Sequence, residues 1–249
     1  MKIKMQAEKI FKYFTIAVAV FLFFTFTANA EAPRNVDDTL GHNTEKSEKP
    51  EKKYIALTFD DGPHPVYTEK ILDILEEKKV AATFFVVGFR AELQPESLKR
   101  MKKLNCEIGN HTYSHADLSA NYVKKGAIFE IEQCSEAIFA ATGEYPVIYR
   151  PPFGKISKAN EKKIILRKVL WTVDSMDWNI KDKNRVIKNV VKNIKDGSII
   201  LMHDFYASTF NALPEIIDTL LEQGYEFVTV SKLAEMSKIS KLQDYFLDE

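Results

Sequence analysis

The chain has 249 residues, of which 45% are hydrophobic and 28% charged, and its 35 basic side chains balance its 35 acidic ones. This composition is that of a globular protein with enough length for one large domain. The residues after position 30 carry 31 basic and 34 acidic side chains. A slightly acidic surface gives no electrostatic attraction for nucleic acid, so we expect no such partner.

The first 30 residues have the pattern of a targeting segment. Four lysines precede the apolar stretch 14–26, and Ala28, Asn29 and Ala30 follow with the small–x–small pattern of a signal-peptidase site. The apolar stretch is shorter than the roughly 18 residues expected of a membrane span. We therefore expect residues 1–30 to be a signal peptide cleaved after Ala30, with an uncleaved membrane anchor as the alternative. The protein would then be extracellular or in the cell wall, and would meet the membrane only through this segment.

After the targeting segment, residues 31–52 are polar, which is typical of a solvated linker, and residues 237–249 form a polar tail. Strands alternate with helices between them. Apolar and β-branched runs predict strands at 54–59, 82–87, 106–109, 147–149, 169–173, 198–202 and 227–230. Amphipathic stretches predict helices at 67–79, 95–103, 122–141, 158–165, 184–194 and 211–223. This alternation predicts an α/β fold with a parallel sheet, closed or doubly wound.

Polar side chains follow five of the predicted strands, at the point where each strand ends. They are Asp60 with Asp61, His111, Arg150, Asp174 with Asp177, and His203. In barrels of alternating strands and helices, the active site lies at the carboxyl ends of the strands. The sequence therefore predicts an active site at this end of the sheet.

Asp60 and Asp61 end the first predicted strand and are followed by a Gly-Pro turn. Two adjacent carboxylates at the end of a buried strand are costly unless they have partners. They either cap the next helix or serve as a metal ligand beside a general base. His111 and His115 are four residues apart, so one helical turn would place them on the same face. Two imidazoles and a carboxylate form a common catalytic metal triad, and this combination favours the metal interpretation.

Five stretches occur in a fixed order along the chain: Thr58-Phe59-Asp60-Asp61-Gly62, His111-Thr112-Tyr113-Ser114-His115, Arg150-Pro151-Pro152-Phe153-Gly154, Asp174-Ser175-Met176-Asp177-Trp178 and Leu201-Met202-His203. Together they resemble the five motifs of the polysaccharide deacetylases, carbohydrate esterase family 4. The resemblance covers about residues 54–235. It implies a distorted (β/α)7 barrel that forms a single catalytic domain over residues 53–236.

By that resemblance, Asp61, His111 and His115 bind a divalent metal. Zinc is common in the family, and we expect Zn2+, with Co2+ or another first-row ion as the alternative. Asp60 would be the general base, held and oriented by Arg150.

The same resemblance assigns the remaining roles. His203 would be the general acid, tuned by Asp177. Residues that bind the substrate would line the groove, form the pocket for the acetyl methyl group and complete the oxyanion hole. They are Trp178, Leu201 and the backbone N–H of Phe153.

These roles imply a metal-dependent hydrolase that removes N-acetyl groups from an amino-sugar polymer, and the targeting segment implies that it is exported. Export favours cell-wall peptidoglycan, with its N-acetylglucosamine and N-acetylmuramic acid. The alternatives are an O-acetyl esterase acting on a xylan-type polysaccharide, a chitin or chitooligosaccharide deacetylase, and a glycan-binding module without catalytic activity. The expected partner is thus an N-acetylated glycan, and we expect a monomer.

Five further residues are interpreted as structural. Cys106 lies in an apolar stretch and Cys134 on a predicted helix, and both are expected to be buried free thiols. Asp174 is expected to satisfy backbone groups at its strand end, and Asp204 to brace the loop after His203. His64 is expected at the rim of the site rather than among the metal ligands.

Overall fold

Parallel strands alternate with helices throughout the computed structural model, which describes residues 52–119 and 126–236. The strands are β1 (Lys53–Asp60), β2 (Thr83–Val86), β3 (Glu107–Asn110), β4 (Ile148–Tyr149), β5 (Arg167–Lys168), β6 (Val173–Asp174), β7 (Ile199–His203) and β8 (Tyr225–Phe227). The helices are α1 (Tyr67–Lys78), α2 (Gly88–Leu93), α3 (Pro95–Lys103), α4 (Ala127–Thr142), α5 (Lys158–Glu161), α6 (Lys183–Asn193), α7 (Ala207–Glu222) and α8 (Val230–Met236), with a 3-10 turn at Pro152–Gly154.

Some sequence expectations fall outside the described residues. These are the signal peptide or membrane anchor at 1–30, nearly all of the linker at 31–52, the start of the helix predicted from residue 122, and the tail at 237–249. Among the described helices, none combines the length and the apolar character needed to cross a bilayer.

The sheet is parallel, with the strand order β5-β4-β3-β2-β1-β7-β6. The second half of β1 pairs with β2 on one side and β7 on the other, while β8 pairs with its first half. Over the described residues, the two end strands β5 and β6 do not pair with each other. The sheet is therefore a partly open barrel, which confirms the expected α/β fold of the distorted (β/α)7 type.

Successive side chains of β1 alternate between two environments, because neighbouring residues of a strand point to opposite faces. Ile55, Leu57 and Phe59 belong to the largest hydrophobic cluster, together with residues of α1 and α7. Thr58 and Asp60 lie on the other face, inside the barrel, where both accept hydrogen bonds from a buried arginine. The strand thus binds helices on its outer face and presents polar groups on its inner face.

The prediction of one strand at 169–173 is wrong, because the structure has two shorter strands, β5 and β6, in this region. β5 pairs with β4, and β6 pairs with β7. Between them, the carbonyl groups of Val169 and Leu170 accept hydrogen bonds from the Arg150 side chain at 3.2 and 2.9 Å. The side chain of one arginine thus occupies main-chain acceptors that would otherwise continue a sheet ladder.

The prediction of a strand at 227–230 is also wrong, because β8 ends at Phe227 and helix α8 begins at Val230. Val230 packs against inward-facing residues of β1, β2 and β7 in a second hydrophobic cluster. The first turn of α8 is capped by distant side chains: the Val230 N–H donates to the Thr83 hydroxyl, and the Ser231 N–H to the Glu107 carboxylate, both at 3.0 Å. A cap supplied from other strands has no signal in the local sequence.

Cys106 and Cys134 are buried free thiols, as the sequence predicts. Burial raises the pKa of the Cys106 thiol to about 11, and the Cys134 sulfur lies 3.3 Å from the carbonyl oxygen of Val86. Because the thiolate is the reactive form, these protonated thiols serve as packing groups.

Replacement of Leu72 by alanine should lower the free energy of unfolding by about 2–5 kcal/mol. This side chain of α1 is fully buried in the largest hydrophobic cluster. Leu93 of α2 is 74% exposed and is the matched control, whose alanine variant should differ from wild type by less than about 0.5 kcal/mol. Urea unfolding followed by circular dichroism measures both. Equal effects of the two changes would contradict a tightly packed core at Leu72.

Candidate active site and metal centre

The turn after β1 gives two neighbouring carboxylates different surroundings. Asp60 is the last residue of β1 and only 3% exposed. Asp61 has a left-handed φ of 77°, a conformation that aspartate tolerates better than most residues. The Asp61 side chain is therefore released from the alternation of the strand. Asp60 stays inside the barrel, and Asp61 lies at its carboxyl end.

Asp61 lies against two imidazoles. Its Oδ1 is 3.1 Å from Nε2 of His115 and 3.4 Å from Nε2 of His111, and one ligand atom from each residue lies within 4.8 Å of the other two. Burial raises the pKa of the Asp61 carboxyl, but hydrogen bonds from the two imidazoles outweigh it and hold the pKa well below its usual range. One carboxylate and two imidazoles converging in this way fit a divalent ion with coordination positions left for water and substrate.

The loop that carries the two histidines is not the helical turn that their spacing suggested. Thr112 and His115 have left-handed φ values of 64° and 58°, and the rings converge with their centroids 5.1 Å apart. Two side chains that the sequence analysis missed hold this loop. Asn110 accepts the Thr112 N–H at 2.8 Å, and Glu130 of α4 accepts the backbone N–H and hydroxyl of Ser114.

A backbone carbonyl fixes the tautomer of His111. The Nδ1 atom of His111 lies 2.7 Å from the carbonyl oxygen of Arg150. Because a carbonyl only accepts, Nδ1 must carry a proton, which leaves Nε2, on the side of Asp61, as the ring nitrogen that can bind a metal once its own proton is lost. This is the orientation that metal binding requires.

Arg150 is fully buried. Its Nη1 donates to Asp60 Oδ1 at 2.7 Å and to the Thr58 hydroxyl at 2.8 Å, and its other nitrogens donate to the carbonyls of Val169 and Leu170. Burial lowers the pKa of the guanidinium and the neighbouring Asp60 raises it, and an arginine remains charged at neutral pH. The positive charge compensates that of a buried carboxylate.

His203, the last residue of β7, and Asp177, three residues after the end of β6, form a second charged pair. Asp177 Oδ1 is 2.8 Å from Nδ1 of His203, and Asp177 Oδ2 accepts the His203 backbone N–H at 2.8 Å and the Thr209 hydroxyl. Burial lowers the pKa of His203, but the hydrogen bond and charge of Asp177 outweigh it, and Asp60 and Asp61 add to the effect. The resulting pKa is about 9.

Of the three residues expected to bind substrate, Phe153 contacts a candidate ligand, Leu201 precedes His203 on β7, and Trp178 follows Asp177 in the chain. Phe153 is 61% exposed, has a left-handed φ of 61°, and its ring centroid is 4.9 Å from that of His115. Trp178 is half exposed beside the end of β6. Leu201 is buried on β7 two residues before His203, and thus on the same face of the strand.

Two other predicted residues have backbone partners. Asp174 Oδ1 accepts the N–H of Met176 at 2.7 Å, which confirms its structural interpretation. The Nδ1 atom of His64 accepts the backbone N–H groups of Val66 and Tyr67 at 3.1 and 3.2 Å. His64 is not part of the cluster of candidate ligands.

Asp204 braces the turn after Asp61, whereas the sequence predicted that it would brace its own loop after His203. Its Oδ2 accepts the Thr68 hydroxyl at 2.5 Å, and that hydroxyl accepts the His64 N–H at 2.6 Å. A Cβ atom at Gly62 would lie 1.9 Å from the same carboxylate oxygen. Burial raises the pKa of Asp204 to about 7.

Removal of one imidazole should remove the metal. The wild-type chain loaded with zinc is expected to bind one ion, and His111→Ala to bind it at least about 100-fold more weakly, because a three-ligand site has no ligand to spare. His64→Ala is the matched control and should retain the ion, since the His64 ring nitrogen is engaged by the backbone. Competition with a chromogenic chelator measures the affinities. An unchanged affinity in His111→Ala would contradict this ligand set.

Comparison with known proteins gives the same family as the motifs. The sequence profile described as polysaccharide deacetylase matches residues 47–165. The peptidoglycan-N-acetylmuramic acid deacetylase PdaC of Bacillus subtilis is 42% identical over 194 residues, which cover 78% of this chain and 41% of PdaC. The chain thus spans about two fifths of the length of that relative. A peptidoglycan-N-acetylglucosamine deacetylase of Bacillus cereus is 39% identical over 192 residues, covering 73% of this chain and 88% of the relative.

Solved structures of related proteins have the same fold. The structure of PdaC has 41% sequence identity and a TM-score of 0.73, and covers 79% of this chain and 96% of the PdaC chain in that structure. A family 4 acetyl xylan esterase from Clostridium thermocellum, in complex with a cobalt ion, has 35% identity and a TM-score of 0.70, covering 74% of this chain and 92% of that one. With this identity over most of the B. cereus relative, and with the five motifs at one end of the barrel, the chain belongs to the polysaccharide deacetylase family.

Proposed function

We propose that the chain is a metal-dependent deacetylase that hydrolyses the N-acetyl groups of cell-wall peptidoglycan. One observation carries this proposal: the cluster of Asp61, His111 and His115 lies beside Asp60 and His203, which pair across β1 and β7. The site thus combines candidate metal ligands with a candidate base and acid. The named activities of the B. subtilis and B. cereus relatives support peptidoglycan as the polymer.

A divalent ion bound by Asp61, His111 and His115 would lower the pKa of a bound water and polarise the acetyl carbonyl. We propose Zn2+ for this site, because one carboxylate and two neutral imidazoles suit it. The same donors accept Co2+ and other first-row ions, and the related acetyl xylan esterase holds cobalt.

We propose that Asp60 takes the proton of the attacking water. Its Oδ1 is bonded to Arg150 at 2.7 Å, while its Oδ2 lies 3.8 Å from Nε2 of His111, on the side of the candidate ligands. One oxygen therefore anchors the carboxylate, and the other is available as a general base.

We propose that His203 protonates the leaving amine. Asp177 engages Nδ1 of the ring, which leaves Nε2 to face the substrate, and a pKa of about 9 keeps the imidazole protonated at neutral pH. An amine leaves poorly unless it is protonated, so the reaction needs such an acid. Because His203 and Asp60 are partners on adjacent strands, both can act on the same amide.

Three residues are proposed to bind the substrate around these groups. The backbone N–H of Phe153 would donate to the developing oxyanion, a contact that strengthens in the transition state. Leu201 would form the floor of the pocket for the acetyl methyl group, and Trp178 would form a wall of the glycan groove. The half-exposed ring of Trp178 and the buried side chain of Leu201 suit the last two roles.

The proposed substrate lies outside the cytoplasm. We propose that residues 1–30 direct export, that the enzyme acts in the cell wall as a monomer, and that residues 53–236 are its catalytic domain. The lysine-rich start, the apolar stretch and the Ala28-Asn29-Ala30 site of the sequence support export.

Release of acetate tests the proposed function. The zinc-loaded full-length chain should release acetate from N-acetylated peptidoglycan strands, and removal of the ion with a chelator should abolish the release. Acetylated xylan is the competing substrate, because an acetyl xylan esterase is among the related structures. Faster release from xylan would replace the proposal with an O-acetyl esterase. Binding to either glycan without acetate release would identify a non-catalytic module.

The Asp177→Asn variant should lose activity at a lower pH than wild type on the alkaline side. The acid must be protonated, so activity falls as pH rises through the pKa of His203. Asp177 raises that pKa, and its replacement by a neutral amide should lower it, which moves the alkaline limb down by about 1 pH unit or more. Profiles of kcat/KM against pH measure the shift. A limb that stays in place would exclude His203 as the titrating acid.

A good leaving group should separate the roles of Asp60 and His203. Asp60→Asn and His203→Ala should each lower acetate release from glycan by about 10²–10⁴-fold, with zinc still bound. An aryl acetate whose leaving group needs no proton should restore the activity of His203→Ala but not that of Asp60→Asn. Equal defects of both variants on the aryl ester would contradict this division of labour.

A further inference from the structure

The carboxyl end of β2 lies between the two strands that carry the candidate metal ligands, because β2 pairs with β1 on one side and β3 on the other. The chain that leaves β2 is bonded to both ligand loops. The Val87 N–H donates to the Gly62 carbonyl at 2.8 Å, and the Gly88 N–H to the Thr112 carbonyl at 3.0 Å. Arg90 follows in the first turn of α2. Both loops therefore fix its position at the edge of the site.

The guanidinium of Arg90 rests on aromatic rings rather than on a carboxylate. Its Cζ lies 4.3 Å from the ring centroid of Phe205 and 5.3 Å from that of Phe89. Over residues 52–119 and 126–236, no carboxylate lies within 4.0 Å of it, whereas Arg100 binds three and Arg150 binds one. A contact between a cation and aromatic faces holds the planar group in place. Its N–H donors are left available.

A series of aromatic contacts connects Arg90 to the candidate acid, His203. The rings of Phe205 and Tyr206 are 5.8 Å apart, and Tyr206 is 5.8 Å from the ring of His203. Burial and nearby carboxylates raise the pKa of Tyr206, and the charge of Arg90 opposes them. Contacts and charge thus place the guanidinium beside the centre that would hold the reacting sugar.

We propose that Arg90 determines specificity by binding a carboxylate that the glycan carries close to the sugar being deacetylated. This inference rests on the proposed function and narrows its substrate to an acidic amino-sugar polymer, in contrast to neutral chitin. A guanidinium binds a carboxylate through two parallel hydrogen bonds, a geometry that neutral hydroxyl groups do not match. In peptidoglycan, the carboxylate belongs either to a free lactyl group of muramic acid or to the stem peptide attached to it.

Three soluble glycans test this proposal. Strands stripped of peptides by an amidase carry free lactyl carboxylates, strands with stem peptides carry peptide carboxylates, and an oligomer of N-acetylglucosamine is neutral. Zinc-loaded full-length wild type is compared with Arg90→Gln, which removes the charge, and with Arg90→Lys, which keeps the charge without the planar fork. Arg185→Gln is the matched control, because Arg185 is exposed on α6.

The measured quantity is the ratio of kcat/KM on an acidic glycan to that on the neutral one. Arg90→Gln should lower this ratio about fivefold through KM, as expected for one charge pair that is partly open to water. Arg90→Lys should lower it less, and Arg185→Gln should leave it unchanged. A fall with stripped strands identifies the lactyl carboxylate, and a fall only with peptide-bearing strands identifies the stem peptide. An unchanged ratio on both acidic glycans, or an equal loss on all three, overturns the proposal.

Binding separates this inference from a failure of the proposed function. Dissociation constants for the same glycans, measured by calorimetry, should show the same fivefold change in ratio whether or not acetate is released. Wild type that prefers acidic glycans through Arg90 but releases no acetate would overturn the deacetylase proposal alone. Equal affinities of wild type for acidic and neutral glycans would overturn the role of Arg90.

Discussion

The buried guanidinium of Arg150 is the interaction on which the geometry of the site depends. Its side chain binds Asp60 and Thr58 on β1 and two main-chain carbonyls between β5 and β6, and its own carbonyl accepts the Nδ1 proton of His111. A buried ion pair adds little net stability, because the desolvation of both charges offsets their attraction. The ion pair between Arg150 and Asp60 instead fixes the positions of the groups around it. A single residue orients the candidate base, fixes the tautomer of a candidate ligand and holds the segment at which the sheet opens.

Hydrophobic patterns in the sequence correctly predicted the helices and strands whose bounds depend only on nearby residues. Helix α3 has the predicted bounds, and β1 ends at the predicted acidic pair. The predictions at 169–173 and 227–230 were wrong for a common reason: residues distant in sequence decide the backbone there. Arg150 binds the carbonyls after β5, and hydroxyl and carboxylate groups from β2 and β3 cap α8. No property of those segments alone indicates either contact.

The candidate site residues could be predicted from the sequence because the chemistry demands particular side chains at strand ends, but the residues that support them could not. The spacing of the two histidines suggested a helical turn, whereas two left-handed residues bring the rings together instead. Asn110 and Glu130 hold that loop from β3 and α4. The sequence likewise did not indicate Arg90, because an arginine that follows a strand has no distinctive pattern. Only the fold shows that it lies between two loops that carry candidate ligands. Supporting residues have no fixed spacing, since their partners lie on other elements.

Asp60 and Asp61 show how the backbone gives identical side chains different roles. Asp60 keeps the extended conformation of β1, so its carboxylate points into the barrel and is bound by a permanent positive charge. Asp61 turns to a positive φ and meets imidazoles, which can be neutral and share a metal with it. Because Gly62 has no Cβ, the Asp204 carboxylate can lie against this turn. The carboxylate accepts the Thr68 hydroxyl, and that hydroxyl accepts the N–H of His64, two residues after Gly62, which stabilises the turn. Gly62 is thus required by the close approach of the Asp204 carboxylate rather than by its own dihedral angles.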